Sequence, residues 1–211
     1  MDAERLARAG IDALARAGDA RAVLAEVWQA FHLTEAVAAM LASTSGGGAR
    51  GTPVPPHAEA AAHPEAAVHP AGAAVGSIDP DPPTAVADRL LRAARDAAAV
   101  FGPDAPPGAR AVRAARLTGL ADPPRTVELL RRLAQESAVA MMAISCAAEE
   151  EEQYWQCVDG VDAAHELTRR LNELLDTLTY ASLATEGAAG SVASGPRAPR
   201  PGGVRQDGSH D

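Results

Sequence analysis

The sequence predicts an all-α fold: a helical bundle of four to six helices, with a long disordered central linker and a disordered C-terminal tail. Three observations predict it. Alanine supplies 51 of the 211 residues, whereas Leu, Ile, Val and Phe together number 38. Alanine is the best helix former but buries little apolar area. Large apolar residues (Leu, Ile, Val, Met, Phe, Trp) are also segregated. Residues 2–43 and 84–185 hold 37 of them in 144 positions, residues 44–83 four in 40, and residues 186–211 two in 26. A segment that sparse cannot offset a backbone entropy of about 1–2 kcal/mol per residue. Within the rich segments, finally, apolar residues recur at spacings of three and four, the helical period. Residues 2–43 and 84–185 are therefore expected to form one discontinuous domain, with 44–83 as linker and 186–211 as tail.

The elements follow in order. Asp2 is a candidate N-cap for a short first helix with Leu6, Ile11 and Leu14 on one face. Gly18 reads as a stop and Asp19 as the next N-cap. The second helix, about 20–42, carries two adjacent stripes: Leu24, Trp28, Phe31 and Ala38, and Val23, Val27, Ala30, Val37 and Leu41. So wide an apolar face suits a bundle. The linker is rich in Ala, Pro, Gly and His, a spacer composition. Pro83 and Thr84 open a third helix to about Phe101, closed by Gly102-Pro103. A shorter helix is expected at about 109–120, ended by Asp122-Pro123-Pro124, and Thr126 opens the next. Its heptad seam is Val127, Leu130, Ala134, Ser137, Met141, Ile144 and Ala148. The last helix carries Cys157, Val161, Ala164, Thr168, Leu171, Leu175, Leu178 and Ser182. Such seams pack in coiled-coil fashion. Between them, near residues 149–152, either a kink or a reversal is compatible with the sequence. Gly160 costs its helix about 1 kcal/mol relative to alanine.

Composition excludes several chemistries. All 19 basic residues are arginine, so Schiff-base lysines, P-loops and Ser–Lys dyads are ruled out. A net charge of −9 argues against coating nucleic acid. Two cysteines, Cys146 and Cys157, are too few for a disulfide scaffold. The opening Met1-Asp2-Ala3-Glu4-Arg5 has no signal-peptide pattern, and no apolar run reaches membrane-spanning length. A cytoplasmic location is expected.

Candidate sites are few. The carboxylates Glu149, Glu150, Glu151 and Glu152 point all around a helix and cannot converge on one ion. They read as a solvated helix end that favours the positive N-terminus. His32-Leu33-Thr34-Glu35 and Asp162-Ala163-Ala164-His165 are distorted versions of the Glu-x-x-His pattern of di-iron bundles. His57, His63 and His69 recur every six residues but lack preset geometry. The sequence thus gives no reason to expect a metal, a cofactor or catalytic residues. Two arginine ladders, Arg89, Arg92 and Arg95, then Arg110, Arg113 and Arg116, each keep one surface. They are read as a basic face meeting an acidic one, or alternatively as an anion or nucleic-acid face. Tyr154 and Trp155, in the cluster that ends at Gln156 and Cys157, are read as packing or as a partner hot spot.

Several stretches carry a resemblance: Ala147-Ala148-Glu149-Glu150-Glu151, Tyr154-Trp155-Gln156-Cys157, Asp162-Ala163-Ala164, Met1-Asp2-Ala3, Ala25-Glu26-Val27-Trp28-Gln29-Ala30 and Arg113-Ala114-Ala115-Arg116-Leu117. In these the chain resembles a family of uncharacterised streptomycete helical proteins, a domain of unknown function. The resemblance covers both helical blocks, and implies an actinobacterial cytoplasmic origin but no reaction. The functional expectation is a non-enzymatic protein-interaction or accessory module, with a protein partner or a homodimer through a heptad seam. The alternatives are a nucleic-acid-associated regulator and a carboxylate metalloprotein.

Overall fold

The computed structural model describes residues 1–44, 81–102, 106, 109 and 112–192, with the side chains of 185–192 excepted. The expected linker, apart from its edges, and the expected tail beyond 192 lie outside these residues. Five α-helices are described: α1 (Ala3–Arg16), α2 (Ala20–Thr44), α3 (Pro83–Ala99), α4 (Pro123–Ser145) and α5 (Glu151–Val192).

Local chemistry sets the helix starts. Asp19 Oδ1 accepts from the Ala22 N–H at 2.8 Å, and Asp122 Oδ1 from the Arg125 N–H at 3.0 Å. Each satisfies one orphan donor of the first turn. Asp122 therefore opens α4 rather than ending a preceding helix, and α4 begins three residues before Thr126. Pro123 and Pro124 fit its first two positions, where no N–H is needed. Asp2 stands at the N-cap position of α1 without capping it; its carboxylate instead accepts from the Ala121 N–H at 3.3 Å. Gly102, with φ 82°, closes the α3 end in a conformation that L side chains rarely adopt.

α2 is the central element. Val27, Trp28, Gln29, Ala30 and Phe31 are consecutive and all buried, so α2 is covered on every side there. It packs against α1, α3 and α4. Phe31 meets Phe101, the ring centres 5.8 Å apart. Its buried polar groups are satisfied: Thr34 Oγ1 donates to the Ala30 carbonyl at 2.9 Å, and Gln29 Oε1 accepts from the Arg113 N–H at 2.6 Å.

The helix expected at 109–120 is not formed. Among the described residues there is only a 3-10 turn at Arg113–Arg116. Its neighbourhood is a strap held by tertiary bonds. The Ala3 N–H donates to the Gly119 carbonyl at 3.2 Å and the Thr118 N–H to the Met1 carbonyl at 3.0 Å. The Met1 nitrogen donates to the Arg116 carbonyl and to Thr118 Oγ1, both at 2.7 Å. Backbone groups committed to distant partners cannot also make an i to i−4 ladder.

Between α4 and α5 the chain reverses. α4 ends at Ser145, a turn follows at Cys146 and Ala147, and α5 starts at Glu151. Met141 lies against Gly160, and Arg131 Nη1 donates to Asn172 Oδ1 at 3.3 Å, so the two helices run antiparallel. The α4 seam from Val127 to Met141 is buried, with Ile144 at its edge. On α5 the buried positions Cys157, Val161, Ala164, Leu167, Leu171 and Leu174 follow the expected seam, with Leu167 and Leu174 buried more fully than Thr168 and Leu175. Both seams are thus used inside the chain. The chain divides into two units, Met1–Thr179 and Tyr180–Asp211. In the second, the helix continues to Val192, seven residues into the segment expected as tail.

Gly160 has a packing reason. A Cβ there would stand 2.5 Å from Met141 Sδ, and Met141 is fully buried. Replacing Gly160 with alanine gains about 1 kcal/mol of helix propensity but forces overpacking of about 1–3 kcal/mol. Gly160→Ala is expected to lower stability by about 1 kcal/mol in urea unfolding. In a Met141→Ala background the same change is expected to be stabilising, because the clash is gone.

Candidate functional site

Three of the six ladder arginines are engaged in ion pairs within the chain. Arg89 pairs with Asp81 at 2.9 Å and Arg95 with Glu35 of α2 at 3.0 Å. Arg113 pairs with Glu26 at 2.6 Å, both partly buried. Arg116 is exposed on the 3-10 turn, and Arg110 lies outside the described residues. The second ladder is therefore not a helix face: Arg113 turns toward α2. Arg89 and Arg92 line a 370 Å³ cleft with Asp96 on α3 and Glu166 and Arg170 on α5, so charges of both signs share it.

Glu166 sits within an arginine cluster, 2.6 Å from Arg169 and 2.8 Å from Arg170. The hydrogen bond from Arg169, aided by Arg170, holds its carboxyl below the ordinary glutamate value against the opposing effect of partial burial. A depressed pKa contributes stability above the unfolded value and loses it as pH falls through the folded one. Glu166→Gln is expected to unfold at lower urea than the parent at neutral pH. The gap should close only on acidification below the ordinary glutamate range, measured as urea midpoints across pH.

A second cleft, of 240 Å³, holds Trp28, His32, Glu35 and Arg95 beside Gly102. His32 Nδ1 is 3.2 Å from Glu35 Oε2, and the Trp28 and His32 rings meet edge to face at 4.4 Å. The His32–Glu35 spacing thus makes a pair within α2, whose carboxylate Arg95 shares. Among the described residues no three His, Cys, Asp or Glu side chains gather as a metal site would need. Asp162 and His165 are both exposed, as are all four glutamates at 149–152. The histidines at 57, 63 and 69 lie outside the described residues.

Tyr154 and Trp155 stand near the start of α5, 43% and 54% exposed, with their rings edge to face at 5.3 Å. Trp155 Nε1 donates to Glu151 Oε1 at 3.3 Å. Their neighbour Cys157 is the member of the cluster that enters the core.

The site that sequence reasoning missed is a groove of about 600 Å³ between α4 and α5. It is lined by Gln135, Val139 and Met142 of α4, by Cys146 in the turn that follows, and by Val161, His165 and Thr168 of α5. Val139 is 68% and Met142 52% exposed. Tyr154 shares a helix face with Val161, seven residues before it. The available signal was a second heptad stripe on α4, alongside the inner one.

Together these features define a helical bundle protein with an open apolar groove between two of its helices. A model described as a family of unknown function (DUF6099) matches residues 1–72 and 58–177, and the chain belongs to that family. No curated protein and no solved structure matches it. No helix among the described residues is long and apolar enough to cross a membrane.

The cysteines differ in environment. Cys146 is exposed and Cys157 buried, and burial pushes the Cys157 thiol up, which lowers its thiolate fraction. Dilute native protein is expected to take one equivalent of iodoacetamide, at Cys146, and a second only after denaturation, read by intact mass.

Proposed function

We propose that this chain is a non-enzymatic protein-interaction module, and that residues 2–43 and 84–185 act in it as one discontinuous domain. The observation that carries the reading is the groove between α4 and α5, where Val139 and Met142 stand in solvent beside Val161. Isolated exposed apolar residues are ordinary on any surface; a contiguous apolar groove with a polar rim marks a docking site. Two parallel helix ridges with a trough between them fit a third amphipathic helix, anchored at spacings of three and four. The ion pairs of Arg89, Arg95 and Arg113 reduce what the ladders offer to phosphate, so the interaction reading outranks the nucleic-acid one. The arginine-only basic composition and the quoted resemblance support an actinobacterial, cytoplasmic setting.

A photo-reactive residue introduced at Met142 tests the reading in cells. One discrete adduct is expected, lost with Val139→Asp and absent when the probe replaces exposed Arg8 on α1. Mass spectrometry should place the cross-link on one helical segment. Equal labelling from both positions, or none at Met142, overturns it.

A further inference from the structure

We infer that the cleft between α2 and α3 is a binding site for a small 2-hydroxycarboxylate, held by Trp28, His32 and Arg95. The cleft shares no residue with the α4/α5 groove, and the inference stands independently of the interaction reading above.

The polar groups that line the cleft are only partly used by the fold. Trp28 is buried, 7% exposed, yet its indole N–H makes no hydrogen bond among the described residues. The fully buried side-chain atoms left without a partner there are Arg113 Nη1, Thr126 Oγ1 and Arg131 Nε. The Trp28 nitrogen is not one of them, so it is open to solvent, and Trp28 lines this cleft. A buried indole ordinarily finds an acceptor for its N–H.

His32 is fixed by its neighbour. A carboxylate only accepts, so the 3.2 Å contact with Glu35 Oε2 places a proton on Nδ1 and leaves Nε2 of the neutral ring as an acceptor. Nε2 likewise makes no hydrogen bond among the described residues. Arg95 gives its Nε to Glu35 Oε1 at 3.0 Å, which leaves the end-on fork of its two Nη groups. Glu35 is thus committed to both partners, and Arg95 compensates its charge.

The three leftover groups dictate the ligand. A guanidinium fork matches the two oxygens of a carboxylate. A lone pair and an N–H on adjoining rings, whose centres are 4.4 Å apart, match a hydroxyl, which donates to one and accepts from the other. A hydroxyl on the carbon next to the carboxylate joins both within a cleft of 240 Å³. Ala98 and Ala99 of α3 supply an apolar wall for a short side chain. A phosphate dianion fits less well, since it meets the Nε2 lone pair and one arginine opposed by Glu35.

Nuclear magnetic resonance on the isotopically labelled full chain tests this. The chain has two tryptophans, so two indole N–H signals are read, and Trp155→Phe identifies them. The Trp155 N–H, bonded to Glu151, is the internal control. Titration with lactate at constant ionic strength is expected to move the Trp28 signal saturably, with a dissociation constant on the order of 1 mM, and to leave Trp155 in place. Propionate, which lacks the hydroxyl, should bind about fivefold more weakly. Arg95→Gln, at an exposed position, should weaken lactate about tenfold or more with an unchanged helical circular dichroism spectrum.

A Trp28 signal that does not shift saturably overturns the inference. So does an equal shift of Trp155, a propionate affinity matching that of lactate, or binding indifferent to Arg95→Gln.

Discussion

Close approach of helices through small side chains is the constraint on which this structure depends. A chain with 38 Leu, Ile, Val and Phe in 211 residues cannot fill wide gaps between helices. It narrows them instead. Ala3, Ala7 and Gly10 on α1, Ala87, Ala94 and Ala97 on α3, Ala134 and Ser137 on α4, and Gly160 and Ala164 on α5 are buried contact positions. Against these, few large residues suffice: Phe31, Leu33, Leu90, Leu130, Met141 and Leu167 are fully buried. The dependence is tight, because a well-filled interior tolerates neither a lost nor an added methylene without cost. At Gly10 a Cβ would lie 3.1 Å from Leu133, so α1 and α4 meet under the same restriction as α4 and α5.

The strap at 112–121 follows from that economy. Its large apolar residues, Val112, Leu117 and Leu120, are only partly buried against the core, and it is also held by polar bonds to the opening of the chain and to α2. Gln29 would be a buried amide in the middle of an apolar helix; accepting from the Arg113 N–H at 2.6 Å removes the penalty of leaving it unpaired. The Arg113–Glu26 pair, one turn earlier on α2, fixes the same contact. A segment whose apolar side chains are only partly buried is thus fixed by hydrogen-bond geometry as well as by packing.

The features legible in the sequence are those with local causes. Asp19 caps α2 as expected, because a carboxylate three residues before a free N–H is a local event; Asp122 makes the same bond, but the alanine-rich stretch before it reads as helix and makes Asp122 look like a stop. The α4 seam reads correctly because its period survives from Val127 to Met141. The strap was illegible because its partners lie 84 and 119 positions away, and alanine-rich sequence looks helical wherever it is. The same distance hides the partners of the ladders: a spacing of three shows that Arg89, Arg92 and Arg95 share a face, but nothing near them announces Glu35. The reversal after α4 follows from Met141 meeting Gly160, whose missing side chain carries no periodic signal.

The outer stripe of α4 is informative because of this poverty in large apolar residues. In an ordinary protein more than half of the surface is apolar, and an exposed valine means little. Here the core is so sparing that alanine lines most contacts. Yet α4 carries a valine and a methionine in solvent, one helical turn apart, flanked by small or polar residues. Burying them inside the bundle would have needed only a different helix rotation, at the expense of Leu130 and Met141 on the inner seam. A helix with two apolar stripes at heptad spacing has two faces to cover, and the bundle covers one. Methionine suits the uncovered face, since its flexible thioether adapts to a partner surface and remains tolerable in water. The second stripe is therefore apolar surface of α4 that the bundle leaves uncovered.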